Sequence, residues 1–149
     1  MPNWVENDLR ITADEMTMTA IRERILTDEG VLSFALLIPE EFDNPAYRAS
    51  AKESHLALAE GDTIRDDGTL FDWYNFRIDH WGCKWDVSKE NFSIAEESAT
   101  ELNIFFLSPW SPPTAWFHKL RETFPDAKFG MSSSDPLMEE SWEDGEPCL

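Results

Sequence analysis

The sequence predicts a single domain of the α+β class, built from two strand-helix-strand units with an insertion between them. Three observations lead to this prediction. The length of 149 residues suits one domain, because about 100–150 residues is the commonest domain size. Apolar residues recur at helical spacing in two stretches, and apolar or alternating runs lie on both sides of each. Between the two units the composition changes to acids, prolines and aromatic residues.

The first unit begins with a strand and continues into a helix. The stretch from Asn3 to Thr12 alternates imperfectly between apolar and polar residues, which predicts a strand. Either Thr12 or Asp14 can cap the helix that follows, and Gly30 suits its end or a turn. The apolar positions of this helix are Met18, Ile21, Ile25 and Leu26. The apolar run from Val31 to Ile38 predicts a buried strand, because a proline ends it.

The insertion is predicted to be helical, acidic and rich in tryptophan. Pro45 is placed to begin a helix. The apolar residues of that helix would be Tyr47, Leu56 and Leu58. An acidic loop lies between Gly61 and Gly68. From Phe71 to His80 large side chains recur every three to four residues, which predicts a short helix that Gly82 would end.

The second unit repeats the pattern of the first. Asp86 to Glu97 and Thr100 to Leu107 are predicted to be strands joined by a turn. In the second of these strands the alternating apolar residues are Leu102, Ile104 and Phe106. A helix is predicted from Pro113 to Thr123, because prolines precede and follow it. Ala127 to Met131 is predicted to be the final strand.

Two such units predict a ferredoxin-like, split βαβ sandwich with a helical insertion between its halves and an acidic C-terminal tail. The parts of the single domain 1–149 are the first half 1–38, the insertion 39–85, the second half 86–132 and the tail 133–149. No basic residue follows Lys128, and acidic runs of this kind are usually solvated and often disordered. Three apolar residues are available to tether the tail, namely Leu137, Met138 and Trp142.

The tryptophans are predicted to be structural rather than catalytic. Three of them lie between Trp73 and Trp85, and a second aromatic cluster follows Ser108. Each large ring can bury roughly 150–250 Å², so the two clusters are expected to pack as core. The residues assigned a structural role are Trp4, Trp73, Trp81, Trp85, Trp110 and Pro112. Cys83 is expected to be a small buried residue beside two of these rings.

Four short segments resemble one known family. They are M-P-N-W at residues 1–4, V-L-S-F-A-L-L-I-P at 31–39, W-G-C-K-W-D at 81–86 and W-S-P-P at 110–113. Together, and in this order, they are similar to the YubB-like family of phage and plasmid proteins, which is assigned a ferredoxin-like domain. The resemblance implies that fold and an origin on a mobile genetic element. It implies no reaction and no catalytic residues.

The chain departs from that family in three places. Val5 stands where members commonly have cysteine, and Cys83 stands where they usually have threonine. The chain ends in a short acidic tail, whereas members tend to continue in a longer segment. An essential thiol at Cys83 is therefore not implied.

The composition is strongly acidic. Thirty acids against 12 Lys and Arg give a formal net charge of −18, whereas a magnitude of roughly 2–8 is ample for a small domain. Direct binding to nucleic acid or to an anionic membrane is therefore not expected, because such binding needs a basic surface. A basic partner would be attracted. Acidity that serves solubility alone is the open alternative.

Neither a secretory signal nor an apolar run of membrane-spanning length is present in the sequence, which predicts a cytoplasmic protein. No catalytic residue, metal site or cofactor is predicted. The spacing His80-x-x-Cys83 supplies two of the four ligands that structural zinc requires. The loop from Asp62 to Gly68 lacks the ligand spacing of an EF-hand, although weak calcium or magnesium binding stays open there. Nucleotide-binding and hydrolase motifs are absent, so a non-enzymatic protein is expected.

Charge is the feature that leads to a functional hypothesis. Eighteen net charges equal those on about nine base pairs, or about 30 Å of duplex, which fits a domain about 35–40 Å across. The sequence therefore favours a nucleic-acid mimic that inhibits a basic host defence protein, such as a CRISPR effector or a restriction enzyme. The expected partner-binding residues are Glu40, Glu41, Asp62, Asp66, Asp67, Asp72, Glu139, Glu140, Glu143 and Asp144.

Two further predictions complete the sequence analysis. The protein is expected to act as a monomer or a small homo-oligomer. The alternative function is a regulatory or small-ligand-binding domain without catalytic activity. Its ligand would lie between the sheet and the insertion from Trp73 to Trp85.

Overall fold

The fold was described from a computed structural model, which covers residues 3–50 and 69–148. Its strands are β1 (Trp4–Thr12), β2 (Arg48–Ser50), β3 (Thr69–Phe71), β4 (Phe92–Glu97), β5 (Glu101–Pro109), β6 (Lys128–Asp135), β7 (Glu140–Glu143) and β8 (Glu146–Pro147). Its helices are α1 (Glu15–Ile25), α2 (Phe34–Leu37), α3 (Trp73–His80) and α4 (Thr114–Thr123). Single 3₁₀ turns occur at Pro45–Tyr47 and Lys89–Asn91.

Six strands form one antiparallel sheet in the order β4-β5-β1-β6-β7-β8. Strands β2 and β3 form a separate antiparallel pair. Mixed helices and an antiparallel sheet confirm the predicted α+β class. No helix in the described part of the chain is long and apolar enough to cross a membrane.

One face of the large sheet carries the hydrophobic core. On β1 the buried residues alternate with exposed ones, so that Leu9 and Ile11 point towards α1 and α4. On β5 the predicted alternation is confirmed, because Leu102, Ile104 and Phe106 are buried in the same core. Side chains of the other parity lie on the opposite face, which is called the open face below.

The first helix begins where the sequence predicts. Asp14 is the N-cap of α1, and its Oδ1 accepts a hydrogen bond from the Thr17 backbone nitrogen at 2.8 Å. That bond lowers the pKa of the Asp14 carboxyl from its ordinary value, because it favours the charged form. The apolar stripe at Met18, Ile21 and Ile25 is buried. Strand β1 and helix α1 are thus predicted correctly.

The predicted strand from Val31 to Ile38 is wrong. Leu32 makes a single β-bridge with Leu26, and the chain then enters the short helix α2. The reason is a cap from a distant part of the sequence. The Asp86 carboxylate accepts hydrogen bonds from the Phe34 nitrogen at 2.6 Å, the Ala35 nitrogen at 3.2 Å and the Ser33 hydroxyl at 2.8 Å. These bonds satisfy free N–H groups of the first helical turn.

The insertion is only partly helical. Pro45 begins a 3₁₀ turn, but the chain becomes strand β2 at Arg48, so the helix predicted there does not continue. The predicted helix positions Leu56 and Leu58, and the acidic loop between Gly61 and Gly68, lie outside the described residues. Helix α3 confirms the short helix predicted before Gly82, with Asp72 as its N-cap.

The second unit follows the prediction with shifted boundaries. The first predicted strand begins at Phe92 rather than Asp86, because Asp86 is occupied with the start of α2. Strand β5 and helix α4 are confirmed. Strand β6 extends beyond Met131 to Asp135.

The acidic tail adds strands to the sheet, and most of its side chains are exposed, as expected of a solvated run. Strand β7 pairs with β6, and β8 pairs with β7. Asp144 fixes the arrangement, because its Oδ1 accepts a hydrogen bond from the Met131 nitrogen at 2.8 Å while its own nitrogen donates to the Met131 oxygen at 2.7 Å. Leu137 and Met138 are 78% and 56% exposed at the turn, so they do not tether it.

The tryptophans divide into buried and exposed groups. Trp73 and Trp81 are buried, as predicted, and the Trp81 Nε1 donates to the Ile38 oxygen at 2.9 Å. Trp4 and Trp85 are half-buried, with ring centroids 6.2 Å apart. Trp110 is 56% exposed, so its predicted place in the core is wrong. Its backbone leaves the extended conformation of β5 with a φ of 68°, while Pro112 beyond it is buried.

Candidate functional site: the acidic open face

The open face of the sheet collects carboxylates from five strands. They belong to Glu6, Asp8, Glu96, Glu101, Glu143 and Glu146. Cross-strand partners lie on the same face of a sheet, so the register places all six together. The bases on this face are Arg10 and Lys128. Within the described strands the face therefore has six acids and two bases.

One row of this face crosses the sheet. Asp8 lies between Phe105 on β5 and Ser132 on β6, and Ser132 faces Glu143 on β7. Neighbouring strands are about 4.8 Å apart, so the backbones of Asp8 and Glu143 are separated by about 10 Å. Glu146 on β8 extends the row by one more strand. The acids are thus spaced along a line rather than gathered at a point.

Hydrogen bonds hold several of these groups in place. The Ser132 hydroxyl donates to the Glu143 Oε2 at 3.0 Å and accepts from the Arg10 Nη2 at 2.9 Å. With the Asn103 amide oriented so that its nitrogen faces β1, this nitrogen donates to the Asp8 Oδ1 at 2.9 Å and to the Leu9 oxygen at 3.0 Å. The face is therefore a set of ordered polar groups on a rigid scaffold.

A shallow groove of about 460 Å³ runs over β6 and β7. Its walls include the carboxylates of Glu6, Asp8 and Glu143, and serines line its floor. Phe105, which is 39% exposed, adds an apolar edge. The groove suits extended or branched cationic side chains, because carboxylates and an aromatic ring both attract them.

A buried polar network lies beneath the groove. The Asn7 Nδ2 donates to the Ser108 hydroxyl at 2.9 Å, and the Ser133 hydroxyl donates to the Asn7 Oδ1 at 2.7 Å. All three residues are buried. Because every side chain in it has a partner, this network ties β1, β5 and β6 together and keeps the face rigid.

Of the predicted insertion acids, those in the described part of the chain make contacts away from the open face. Glu40 forms an ion pair with Arg77, with 2.8 Å between Oε1 and Nη2, and its side chain is 14% exposed. It belongs to an internal contact rather than to an open surface. Glu41 accepts from Asn44, and Asp72 caps α3. The predicted residues Asp62, Asp66 and Asp67 lie outside the described residues.

Of the predicted tail acids, only Glu143 joins the open face. Glu139 and Glu140 are exposed near the β6–β7 turn, and Asp144 is bound to the backbone of Met131. The other five acids of the open face are absent from the predicted partner-binding residues, namely Glu6, Asp8, Glu96, Glu101 and Glu146. The alternation of β1 carried the signal for the first two, but the buried polar residue Asn7 interrupts its apolar series.

A second concave site lies between the insertion and α4. This cleft of about 540 Å³ has Leu37, Ile38 and Ala115 as apolar lining. Its polar lining is Glu41, Asp79, His80, His118, Lys119 and Glu122.

Beside this cleft, Tyr47 links two of its polar residues. The Tyr47 hydroxyl donates to the Asp79 Oδ2 at 2.9 Å, and the His80 Nε2 lies 3.1 Å from the Tyr47 hydroxyl oxygen. Burial and the Asp79 carboxylate raise the pKa of Tyr47, so its proton is retained at neutral pH.

Two observations concern metal ligands and the buried thiol. No group of three His, Cys, Asp or Glu side chains there is arranged to hold a metal ion. Cys83 is wholly buried, and burial raises the pKa of its thiol far above the ordinary value. A thiol in this state is a poor nucleophile, because the thiolate is the reactive form.

No protein family, curated protein or solved structure matches the chain.

Proposed function

We propose that the protein is a non-enzymatic nucleic-acid mimic that inhibits a host defence system, acting as an anti-CRISPR or anti-restriction protein. The open face of its sheet would occupy the basic nucleic-acid groove of the target. The main support is the distribution of charge over the sheet. Because alternate residues of a strand lie on opposite faces, most strand acids lie on the face away from the core. Six of the nine carboxylates on the described strands lie on the face opposite the core, and three of them, Asp8, Glu143 and Glu146, share one row across the sheet.

The net charge of −18 adds long-range attraction to this local pattern. A basic groove of the target attracts an acidic protein and speeds the encounter, whereas wrong partners of like charge are repelled. Direct binding to nucleic acid or membrane is excluded from the proposal for the same reason. The protein would act in the cytoplasm of a host bacterium, as a monomer or small homo-oligomer.

We also propose that four of the strands with two helices form a ferredoxin-like core. The order β4-β5-β1-β6, with every pair antiparallel, supports this assignment, as does the connection of these strands through α1 and α4. The insertion would then follow α1, and β7 and β8 would extend one edge. The resemblance to YubB-like proteins of phages and plasmids supports the same core and an origin on a mobile element.

The test measures displacement of a labelled DNA duplex from purified restriction enzymes and CRISPR effectors. We expect the protein to displace the duplex from at least one of them, more weakly as NaCl rises from about 50 to 300 mM. A variant that combines Glu6→Lys, Asp8→Lys and Glu143→Lys should lose about 100-fold or more in affinity, because it reverses charge at the centre of the face.

The matched control reverses three exposed acids elsewhere. It combines Glu23→Lys, Asp28→Lys and Glu122→Lys, which changes the net charge by the same amount. This control should keep most of the affinity if placement matters, and circular dichroism would verify that both variants fold. Equal affinity of the two variants, together with no dependence on salt, would reject the mimic.

The cleft between the insertion and α4 favours a second candidate, a regulatory domain that binds a small ligand. Its apolar lining and converging polar groups are typical of ligand sites. A panel of nucleotides, amino acids and carboxylic acids would be screened for an increase in melting temperature. Stabilisation that His80→Ala and Asp79→Asn abolish would support this candidate. No stabilisation by any compound would remove it.

A further inference from the structure

A tryptophan with an unusual backbone conformation lies directly after β5. Trp110 has a φ of 68°, a left-handed conformation that is a genuine outlier for a bulky residue. Its side chain is 56% exposed, and the ring pairs among the described residues do not include it. Burial therefore does not explain why this residue occupies this position. Residues in such conformations cluster at binding sites and active sites.

The turn that carries Trp110 is held from several sides. The Trp110 nitrogen donates to the Asn3 oxygen at 2.8 Å, which continues the β1–β5 pairing by one residue. The Ser108 hydroxyl donates to the Ser111 oxygen at 2.7 Å, and the Ser111 hydroxyl donates to the Gly82 oxygen at 2.6 Å. The exposed ring thus projects from a rigid support. Binding through such a ring loses little conformational entropy.

A row of apolar residues on the open face leads to the turn that carries Trp110. Along β5, Phe105 and Leu107 lie on the open face, and Trp4 of β1 lies opposite Pro109 at its end. Asp8 is the partner of Phe105 across the strands, and Glu6 is the partner of Leu107. The stripe is defined here as Phe105, Leu107 and Trp4, and Trp110 follows it at the end of β5, where its nitrogen binds the Asn3 oxygen. Carboxylates therefore border the stripe along β1.

We infer that Trp110 is the anchor of the interface with the target, an inference that rests on the proposed function. Specific interfaces combine an apolar centre with a polar rim, and tryptophan is among the residues that contribute most to their affinity. The target would therefore present an apolar pocket beside its basic groove. The acids would guide the encounter, and the Trp110 ring would slow dissociation.

Charge decides which occupant covers the stripe. A second copy of the chain would bring acidic faces of like sign together, because each copy carries −18. An anionic membrane is disfavoured for the same reason. A basic protein is the occupant whose charge complements the carboxylates along β1.

The test compares two kinds of partner. One is the nuclease from which the protein displaces duplex DNA, and the other is protamine, an arginine-rich protein that binds acidic surfaces by charge alone. Trp110→Gly should weaken nuclease binding about tenfold or more, mainly through faster dissociation, and should leave protamine binding unchanged. Because glycine adopts a positive φ without strain, this variant should be at least as stable as the parent.

Met16→Ala is the matched control, since Met16 is 84% exposed on α1, away from the open face. It should bind both partners like the parent. Unchanged nuclease affinity of Trp110→Gly would overturn the anchor. It would leave the mimic untouched, because the affinity of the charge-reversal variant decides that proposal separately. A large loss of stability in Trp110→Gly would assign Trp110 a structural role and would also overturn the anchor. If no nuclease releases DNA, the proposed function and the anchor fail together.

Discussion

Arg77 holds separate parts of the insertion together through several kinds of contact at once. Its guanidinium lies 4.8 Å from the centroid of the Trp73 ring and 5.1 Å from that of Trp81. The Nη1 donates to the Lys84 oxygen at 3.2 Å, and the Nη2 pairs with Glu40. A planar guanidinium can stack and donate hydrogen bonds simultaneously, which a lysine cannot do. This explains why an acid chosen from the sequence as a contact residue is used internally.

Gly82 shows how tightly the insertion fits against α4. Its φ is 93°, and a Cβ added there would lie 2.7 Å from the Thr114 backbone nitrogen. Gly30 has a similar φ of 80°, but a Cβ there would meet nothing within 4 Å. We expect Gly82→Ala to lower the free energy of unfolding by at least about 1 kcal/mol more than Gly30→Ala. Urea denaturation of both variants measures this difference, and equal losses would contradict the close approach.

The buried thiol of Cys83 should make the stability of the fold depend on pH. Burial raises its pKa in the folded protein, whereas the unfolded chain releases this proton near the ordinary pKa of about 8.5. The contribution of this group to stability is therefore fully present below that pH and decreases above it.

Thiol titration provides the measurement. At about pH 9 the folded protein should expose one reactive thiol, that of Cys148, and Cys83 should react only after unfolding. A Cys148→Ser variant isolates the buried group as a control. Rapid labelling of Cys83 in that folded variant would show that the thiol is accessible.

At the scale of elements, the short helix α2 depends on a cap from a distant strand connection. The Asp86 carboxylate accepts from two backbone nitrogens of α2 and from the Val87 nitrogen, so one side chain fixes both segments. We expect Asp86→Ala to lower the free energy of unfolding by about 2–3 kcal/mol, because it removes hydrogen bonds to a charged acceptor.

Asp86→Asn is the informative comparison for this cap. Asparagine keeps the shape and some acceptor capacity but removes the negative charge that is favourable at a helix N-terminus. Asp86→Asn should therefore lower the free energy of unfolding by less than Asp86→Ala does. Glu23→Ala on the exposed side of α1 serves as a control and should have little effect. Thermal melting of the three variants checks the order. An Asp86→Ala variant as stable as the control would contradict the role given to Asp86.

At the scale of the whole molecule, the acids also protect the sheet from assembly through its edges. Strand β4 lies at one edge, where a bulge falls between Ile94 and Glu96 and the strand ends in two glutamates. The other edge is β8, which has two residues and includes Pro147. Charges, bulges, prolines and short strands are the usual devices against edge-to-edge pairing.

Self-repulsion should make the stability of the molecule depend on salt. A net charge of −18 destabilises the compact state, and salt screens this repulsion. We expect the melting temperature to rise when NaCl is increased from about 20 to 200 mM. The variant that combines Glu23→Lys, Asp28→Lys and Glu122→Lys has a smaller net charge. Its melting temperature should therefore rise less with salt. A melting temperature that falls with salt would contradict this account.

The sequence by itself determined the α+β class, the first strand and helix, and the strand-helix-strand order of the second unit. These elements follow from local periodicity and caps, such as the alternation of β5 and the N-cap Asp14. It also determined the charge, and with it the kind of partner that the proposed function requires.

Only the tertiary structure decided which residues share a surface. Helix α2 forms in place of the predicted strand because its cap comes from Asp86. This residue lies 52 positions after Phe34, whose nitrogen it binds. The acidic tail became β7 and β8 because β7 pairs with β6 and β8 pairs in turn with β7. Glu6, Asp8 and Glu143 meet only through the register of β1, β6 and β7. Cross-strand pairing joins residues that are far apart in sequence, and local patterns carry no information about such partners.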